Sequence, residues 1–182
     1  VLPPDVNSSG RDFTATADAI TFGLAGIRGV GEGVVDMIVA EREAGGPFTS
    51  LHDFCDRVDL RQVNKKTLEA LIKAGAFDST GYTRKHLFSM MEAAVDAALK
   101  RQRDADTGQT SLFDVFDAAD HGLDDDVPPP DGDEWEKGIK LAFEKEMLGI
   151  YVSDHPLKEI APLITAARTM SLGDADEFRE GQ

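Results

Sequence analysis

Between residues 104 and 136 the chain carries 12 acidic side chains and not one Lys or Arg. The stretch includes Asp124-Asp125-Asp126 and Pro128-Pro129-Pro130. Like charges repel and proline breaks helices, so residues 104–134 read as a flexible or extended acidic linker. Any core has to be built from the residues on either side. The same stretch supplies most of the net charge of −15. Residues 51–103 hold 10 basic and 7 acidic groups, a net of +3, while residues 1–50 and 137–182 stand at −4 and −2. Acidity of the whole chain therefore does not exclude a nucleic-acid partner, because the basic excess is concentrated in the middle. At 182 residues and 41% apolar content, the chain suits one domain or two small ones.

Other classes fall away quickly. No apolar run approaches the roughly 20 residues of a membrane-spanning helix, so no membrane partner is expected. Residues 1–10 lack the basic and apolar regions of a signal peptide, and the absence of an initiator Met reads as a piece of something longer. Cys55 is the single cysteine, which rules out an internal disulfide or a cysteine-rich zinc site and fits a reducing cytoplasm. His52, His86, His121 and His155 are scattered without metal-ligand spacing, and Asp124–Asp126 lacks the spacing of a calcium loop. There is no phosphate-binding lysine loop, nucleophile elbow or dinucleotide fingerprint, so no active site can be assembled.

The expected fold is mostly α. Residues 1–22, with two prolines and Phe13, Ile20 and Phe22 among Thr, Ala and Asp, read as turns and short strands. Four helices follow. Residues 32–43 carry Val34, Val35, Ile38 and Val39 on one side and stop at Gly45-Gly46-Pro47. Ser50 is placed to cap a short helix and Asn64 to cap residues 65–74, which bury Leu68, Leu71 and Ile72 before Gly75. Thr83 is placed to cap residues 84–101, whose stripe runs through Leu87, Phe88, Met91, Ala94, Val95, Ala98 and Leu99. After the acidic linker, residues 135–148 resume a helix with Ile139, Ala142, Phe143 and Met147 inward. Gly149 ends it, and Pro156 opens a further helix through Ala167.

Two glycine turns between helices carry the candidate chemistry. In the first, Phe22-Gly23-Leu24 leads through Arg28-Gly29-Val30-Gly31 into the helix that begins Glu32-Gly33. Glycines permit a tight turn and close approach of backbone to a phosphate, and the free N–H groups of the helix start can donate to it. Contacts of this kind hold the DNA backbone and do not read bases. Glu32, however, opposes a phosphate at close range. The second turn, residues 75–81, joins two amphipathic helices, with Arg84 and Lys85 opening the second of them. Arg61, Lys65, Lys66 and Lys73 lie nearby in sequence. An ordinary pair of helices with a solvated basic face is the alternative to both readings. The expected duplex contacts are Arg28, Gly29, Gly31, Gly33, Lys65, Lys66, Lys73, Arg84 and Lys85, with the second hairpin favoured.

Within the linker, Gln109-Thr110-Ser111-Leu112-Phe113 places two large apolar side chains in a polar, acidic surrounding. Such a pair loses water contact only when a partner receives it. The string resembles the bacterial sliding-clamp-binding pentapeptide, with Gln109, Ser111, Leu112 and Phe113 as contact residues.

Taken in order, the pieces resemble the bacterial DNA polymerase III alpha subunits, the C-family replicative polymerases. The matching strings are Leu2-Pro3-Pro4-Asp5-Val6-Asn7, Phe22-Gly23-Leu24, Gly29-Val30-Gly31-Glu32, Gly46-Pro47-Phe48, Val63-Asn64-Lys65, residues 68–78, the pentapeptide, residues 144–149, and His155-Pro156-Leu157. The first hairpin departs from the usual DNA-binding helix-hairpin-helix form, with Glu32-Gly33 where Pro or Gly followed by Lys or Arg is common and Val35 in place of the customary Ala. The departure from the polymerase family is Asp154, which stands where Gly is common. The resemblance implies the end of the fingers over residues 1–22 and a tandem helix-hairpin-helix DNA-binding domain over 23–103. It further implies the clamp-binding peptide in the acidic linker, and over 135–182 a helical lead-in to an OB-fold outside the chain. It also implies a non-catalytic part of a DNA-directed DNA polymerase, a nucleotidyltransferase whose palm carboxylates and divalent metal lie elsewhere. No cofactor is expected in this segment. The partners implied are the sliding clamp, sequence-independent double-stranded DNA and, through other regions, further replisome subunits, in a bacterial cytoplasm. A scaffold that presents the clamp peptide without touching DNA, and the same region of an error-prone relative, are the alternatives.

Overall fold

A computed structural model describes residues 1–107, 134–158, 160–162 and 165. The pentapeptide 109–113, nearly all of the acidic linker, and the second half of the helix expected after Pro156 lie outside the described residues. Within them the fold is mostly helical. Two short antiparallel strands, β1 (Thr14–Ala15) and β2 (Ile20–Thr21), pair Thr14 with Thr21 and Ala15 with Ile20. Five α-helices follow: α1 (Glu32–Gly45), α2 (Leu51–Arg57), α3 (Lys65–Ala74), α4 (Arg84–Thr107) and α5 (Lys137–Leu148). Single 3-10 turns occupy Leu24–Gly26, Asp78–Thr80 and Pro156–Lys158. The last of these stands at the start of the helix expected from Pro156.

The helix starts follow local chemistry. The Ser50 hydroxyl accepts the Asp53 N–H at 3.1 Å, the Asn64 side-chain oxygen accepts the Thr67 N–H at 3.1 Å, and the Thr83 hydroxyl accepts the His86 N–H at 3.3 Å. Each pairs one N–H that the first helical turn leaves without an internal acceptor. At the other end of α1, the Arg57 guanidinium donates to the Gly46 carbonyl at 2.9 Å and to the Glu41 carbonyl, while lying 4.3 Å above the Phe48 ring.

One core runs through the described residues. Val6, Phe22, Leu24 and Ile27 join Val35 and Ile38 of α1, Phe54 of α2, Leu68, Leu71 and Ile72 of α3, and Leu87, Ala94 and Val95 of α4. At its centre Phe48, Phe54 and Phe77 meet edge to face at 4.9 and 5.0 Å. Helix α4 packs on α2 and α3, and α5 packs on α3. Packing therefore crosses the boundary read at residue 22: the Val6 N–H donates to the Ala76 carbonyl at 2.8 Å, and Asn7 exchanges two hydrogen bonds with the Phe48 backbone, at 2.7 and 2.9 Å.

The inward face of α5 differs from expectation. Its buried residues are Leu141, Glu144 and Leu148, with Ile139 exposed. Apolar periodicity misplaces this face because a carboxylate, drawn in by an arginine described below, occupies its middle.

Candidate nucleic-acid interface

The two glycine turns have opposite surroundings. In the first, the 3-10 turn Leu24–Gly26 leads to Ile27, whose N–H returns to the Leu24 carbonyl at 3.2 Å, and then to Gly29. Gly29 has φ +87°, a conformation that side-chain-bearing residues resist. Gly31 caps α1 without a side chain to accept from it, so the first N–H groups of the helix carry no such cap. A Cβ built on Gly29, Gly31 or Gly33 would meet nothing within 4 Å. All three lie on an open surface, and Arg28 is exposed beside them.

The start of α3 lies against this turn. The Thr67 hydroxyl donates to the Gly29 carbonyl at 3.4 Å, which sets the exposed Lys65 and Lys66 in the adjoining helical turn. Lys65 is 3.6 Å from Glu92 and 3.7 Å from Asp96, while Arg28 and Lys66 form no ion pair among the described residues. The structure thus brings Arg28, Gly29, Gly31, Gly33, Lys65 and Lys66 to one side. Glu32, expected to repel a phosphate here, is paired with Arg11, which also stands 3.7 Å from Asp36.

The second turn is closed. Arg84, expected to present its charge beside free N–H groups, is instead 2% exposed. Its guanidinium donates to both Asp78 carboxylate oxygens, at 2.9 Å from Nε and 2.6 Å from a terminal nitrogen, and to Glu144 at 3.0 Å. Gly75, at φ +84°, ends α3, and a Cβ there would collide with that guanidinium. The N–H groups at the start of α4 are used as well. The Glu134 carboxylate accepts those of Arg84 and Lys85, each at 3.1 Å, and that of Trp135 at 2.7 Å, with the Lys140 ammonium at 3.2 Å. Lys73 bonds Glu69 at 2.6 Å and lies 4.6 Å from the centre of the Phe143 ring. Arg84 and Lys73 therefore satisfy internal partners, and the helix start at Lys85 is filled by the carboxylate of Glu134, the last residue of the stretch read as linker. The expectation that Arg84 offers charge beside free helix N–H groups at the second hairpin is corrected: its guanidinium is buried and those N–H groups are bonded.

The ionisation of these groups follows from their contacts. Burial disfavours charge on Glu144, but the Ser153 hydroxyl and N–H, the Val152 N–H and Arg84 outweigh it and hold the carboxyl below its ordinary value. Burial is likewise outweighed at Glu134 by the three N–H groups and Lys140, which lower its value. Burial, with the nearby Asp56 adding, pushes the Cys55 thiol up to about 12, so it stays a protonated, unreactive thiol. Among the described residues no group of three or more His, Cys, Asp or Glu is placed to hold a metal ion, and no helix is long and apolar enough to cross a membrane.

Arg11, Glu134 and Arg57 escape the sequence reading. Arg11 reaches Glu32 across 21 residues, Glu134 reaches the start of α4 across 49 and 50, and Arg57 reaches the Glu41 carbonyl across 16, and no local pattern marks these pairings.

A glycine turn that opens a helix, repeated after a short connecting helix, defines a helix-hairpin-helix protein, and residues 1–87 match the family described as helix-hairpin-helix motif. The chain is also similar to DNA polymerase III subunit alpha of Mycobacterium leprae, with 46% identity over 91% of this chain and 14% of that protein. The subunit from Borreliella burgdorferi is 41% identical over 86% of this chain and 14% of its own length. That from Vibrio cholerae is 37% identical over all of this chain and 16% of its own length. The chain is homologous to one segment of the bacterial DNA polymerase III alpha subunits and belongs with that family. It spans about one seventh of the length of the relatives it matches, 14% to 16% in these three.

Proposed function

We propose that this chain contacts duplex DNA at the first hairpin, independently of base sequence, and is tethered to a sliding clamp through residues 109–113. The observation that carries the DNA reading is the open space at Gly29, Gly31 and Gly33, beside exposed Arg28 and Lys66. Close approach of a phosphate to backbone N–H groups needs that space, and the flanking cations supply counter-charge. Gly31 and Gly33 have no neighbour that demands their smallness within the protein itself.

The clamp reading rests on sequence. Leu112 and Phe113 are the anchors, Gln109 sets register through its amide, and Ser111 lies between them. In this role the chain serves the processivity of a DNA-directed DNA polymerase during replication, with the metal-assisted step and its carboxylates carried by other regions and no cofactor bound here. Other replisome subunits would be met through those regions. The enclosure of Lys73 and Arg84 favours a second reading, a scaffold that positions the clamp peptide and never meets DNA.

Titration of the full chain against unrelated duplexes over a range of salt separates the two. DNA contact requires similar affinity on each duplex and a linear fall of log K with log salt. Arg28→Ala with Lys66→Ala is expected to flatten that slope by up to about two. Absence of salt-dependent binding would favour the scaffold, and unchanged binding of the double variant would move the DNA contact to another surface. Replacing Leu112 and Phe113 together by Ala is expected to weaken binding to the sliding clamp by about a hundredfold, since each buried anchor contributes roughly 1.5–3 kcal/mol. Retained affinity would assign the clamp contact to another surface.

A further inference from the structure

We propose that Arg11, from the segment that precedes the hairpin, is a phosphate-contacting residue of the same site, held by Glu32 until DNA takes its place. The inference rests on the hairpin reading above and adds to it a residue that lies outside both glycine turns.

The segment around Arg11 is built into the hairpin. The Leu24 N–H donates to the Gly10 carbonyl at 3.0 Å and the Ala25 N–H to the Arg11 carbonyl at 3.1 Å. A Cβ on Gly23 would collide with the backbone of Arg11 and Asp12, so the hairpin's entry and this segment lie in direct backbone contact. The backbone of Arg11 is thereby fixed next to the turn while its side chain remains 42% exposed. The guanidinium reaches Glu32, the first residue of α1, and stands at 3.7 Å from Asp36 one turn further on. It therefore lies along the flank of the first turn of the same helix whose first N–H groups lack a side-chain cap.

Glu32 in this pair is 69% exposed. An ion pair so open to water contributes little to stability, so exchanging its carboxylate for a phosphate costs little. A guanidinium matches the geometry of a phosphate and keeps its charge at all working pH. Duplex DNA brought to the glycines places a phosphate where Glu32 now competes for Arg11. Glu32 then acts as an internal competitor whose release is part of binding, and not as a simple repulsive charge.

The test is a double-mutant cycle on the full chain, using a short fluorescent duplex at several salt concentrations. In the Glu32→Gln background, Arg11→Ala is expected to lower affinity by about tenfold and to reduce the salt slope by about one. Arg11→Lys in that background is expected to keep the slope. If Arg11→Ala is silent once Glu32 is neutral, yet costs affinity beside intact Glu32, then Arg11 only shields Glu32 and the proposal is overturned. If Arg28→Ala and Lys66→Ala leave binding unchanged while the Arg11 effect persists, the hairpin reading fails and the Arg11 contact survives it. Unaltered thermal unfolding of the Arg11 variants separates these outcomes from a loss of fold.

Discussion

The two hairpins use one design for opposite ends. At the first, Gly29 and Gly31 face open space and the start of α1 has no side-chain cap. At the second, Gly75 makes room for a buried arginine, and the start of α4 is bonded by Glu134 and Thr83. A glycine turn followed by a helix start favours negative charge in both. At the second the chain supplies its own carboxylate, while at the first the helix start is left open. Sequence alone favoured the second hairpin, whose Arg84 proves to be buried, because Arg and Lys beside a helix start look the same whether they face water or a buried acid.

The largest effect expected from this contrast is at Arg84. Arg84→Ala strands Glu144, which is 1% exposed, without its cationic partner. Breaking a buried pair from one side costs about 3–5 kcal/mol. Chemical denaturation is expected to show that loss, with DNA affinity of the still-folded fraction unchanged. A stable variant with weakened DNA binding would reverse the assignment of the hairpins.

Glycine substitutions come next. Gly75→Ala forces a Cβ onto a residue at φ +84° and into the Arg84 guanidinium, with an expected cost of about 1–3 kcal/mol. Gly31→Ala, at φ −81° in open space, puts a poorer cap on α1 and is expected to cost no more than about 1 kcal/mol, yet to weaken DNA binding. Equal effects of the two on stability would erase the contrast.

A smaller effect is expected at Glu134. Its carboxyl is held below the ordinary value of 4.5, so the folded form binds the proton less readily than the unfolded one. The stability it contributes is therefore complete above the ordinary value and is lost as pH falls through the lower folded value. Glu144 has the same sign. Glu134→Gln is expected to cost about 1 kcal/mol at neutral pH, as loss of a helix cap does, and to make the acid limb of the stability curve shallower. An unchanged acid limb would remove Glu134 from the cap.

What could be read in the sequence was local. Ser50, Asn64 and Thr83 sit within three residues of the N–H groups they cap, so residue type and spacing identify them. The stripes of α3 and α4 are nearly regular, and their buried faces follow, except that Phe88 of α4 is exposed and meets the Trp135 ring at its edge. Where the reading failed, the cause was distant in sequence. Glu144 lies 60 residues from Arg84 and Glu134 lies 50 residues from the same helix start. Neither distance leaves a periodic trace. The open hairpin was visible as a motif, but its exposure depends on the absence of a neighbour, and no local pattern reports that.

The N-terminal segment has a consequence for anyone exchanging parts among relatives. Asn7 holds the Phe48 backbone, Val6 holds Ala76 in the second hairpin, and Arg42 of α1 donates to the carbonyls of Val6 and Ser9 at 3.0 Å each. Val6, Asn7 and Ser9 thus splice together α1, the loop before α2 and the second hairpin. A chimera joined at residue 23 would combine helices from one parent with a splice fitted to another. Transplanting either hairpin therefore means carrying residues 6–9 with it as part of the same interchangeable unit.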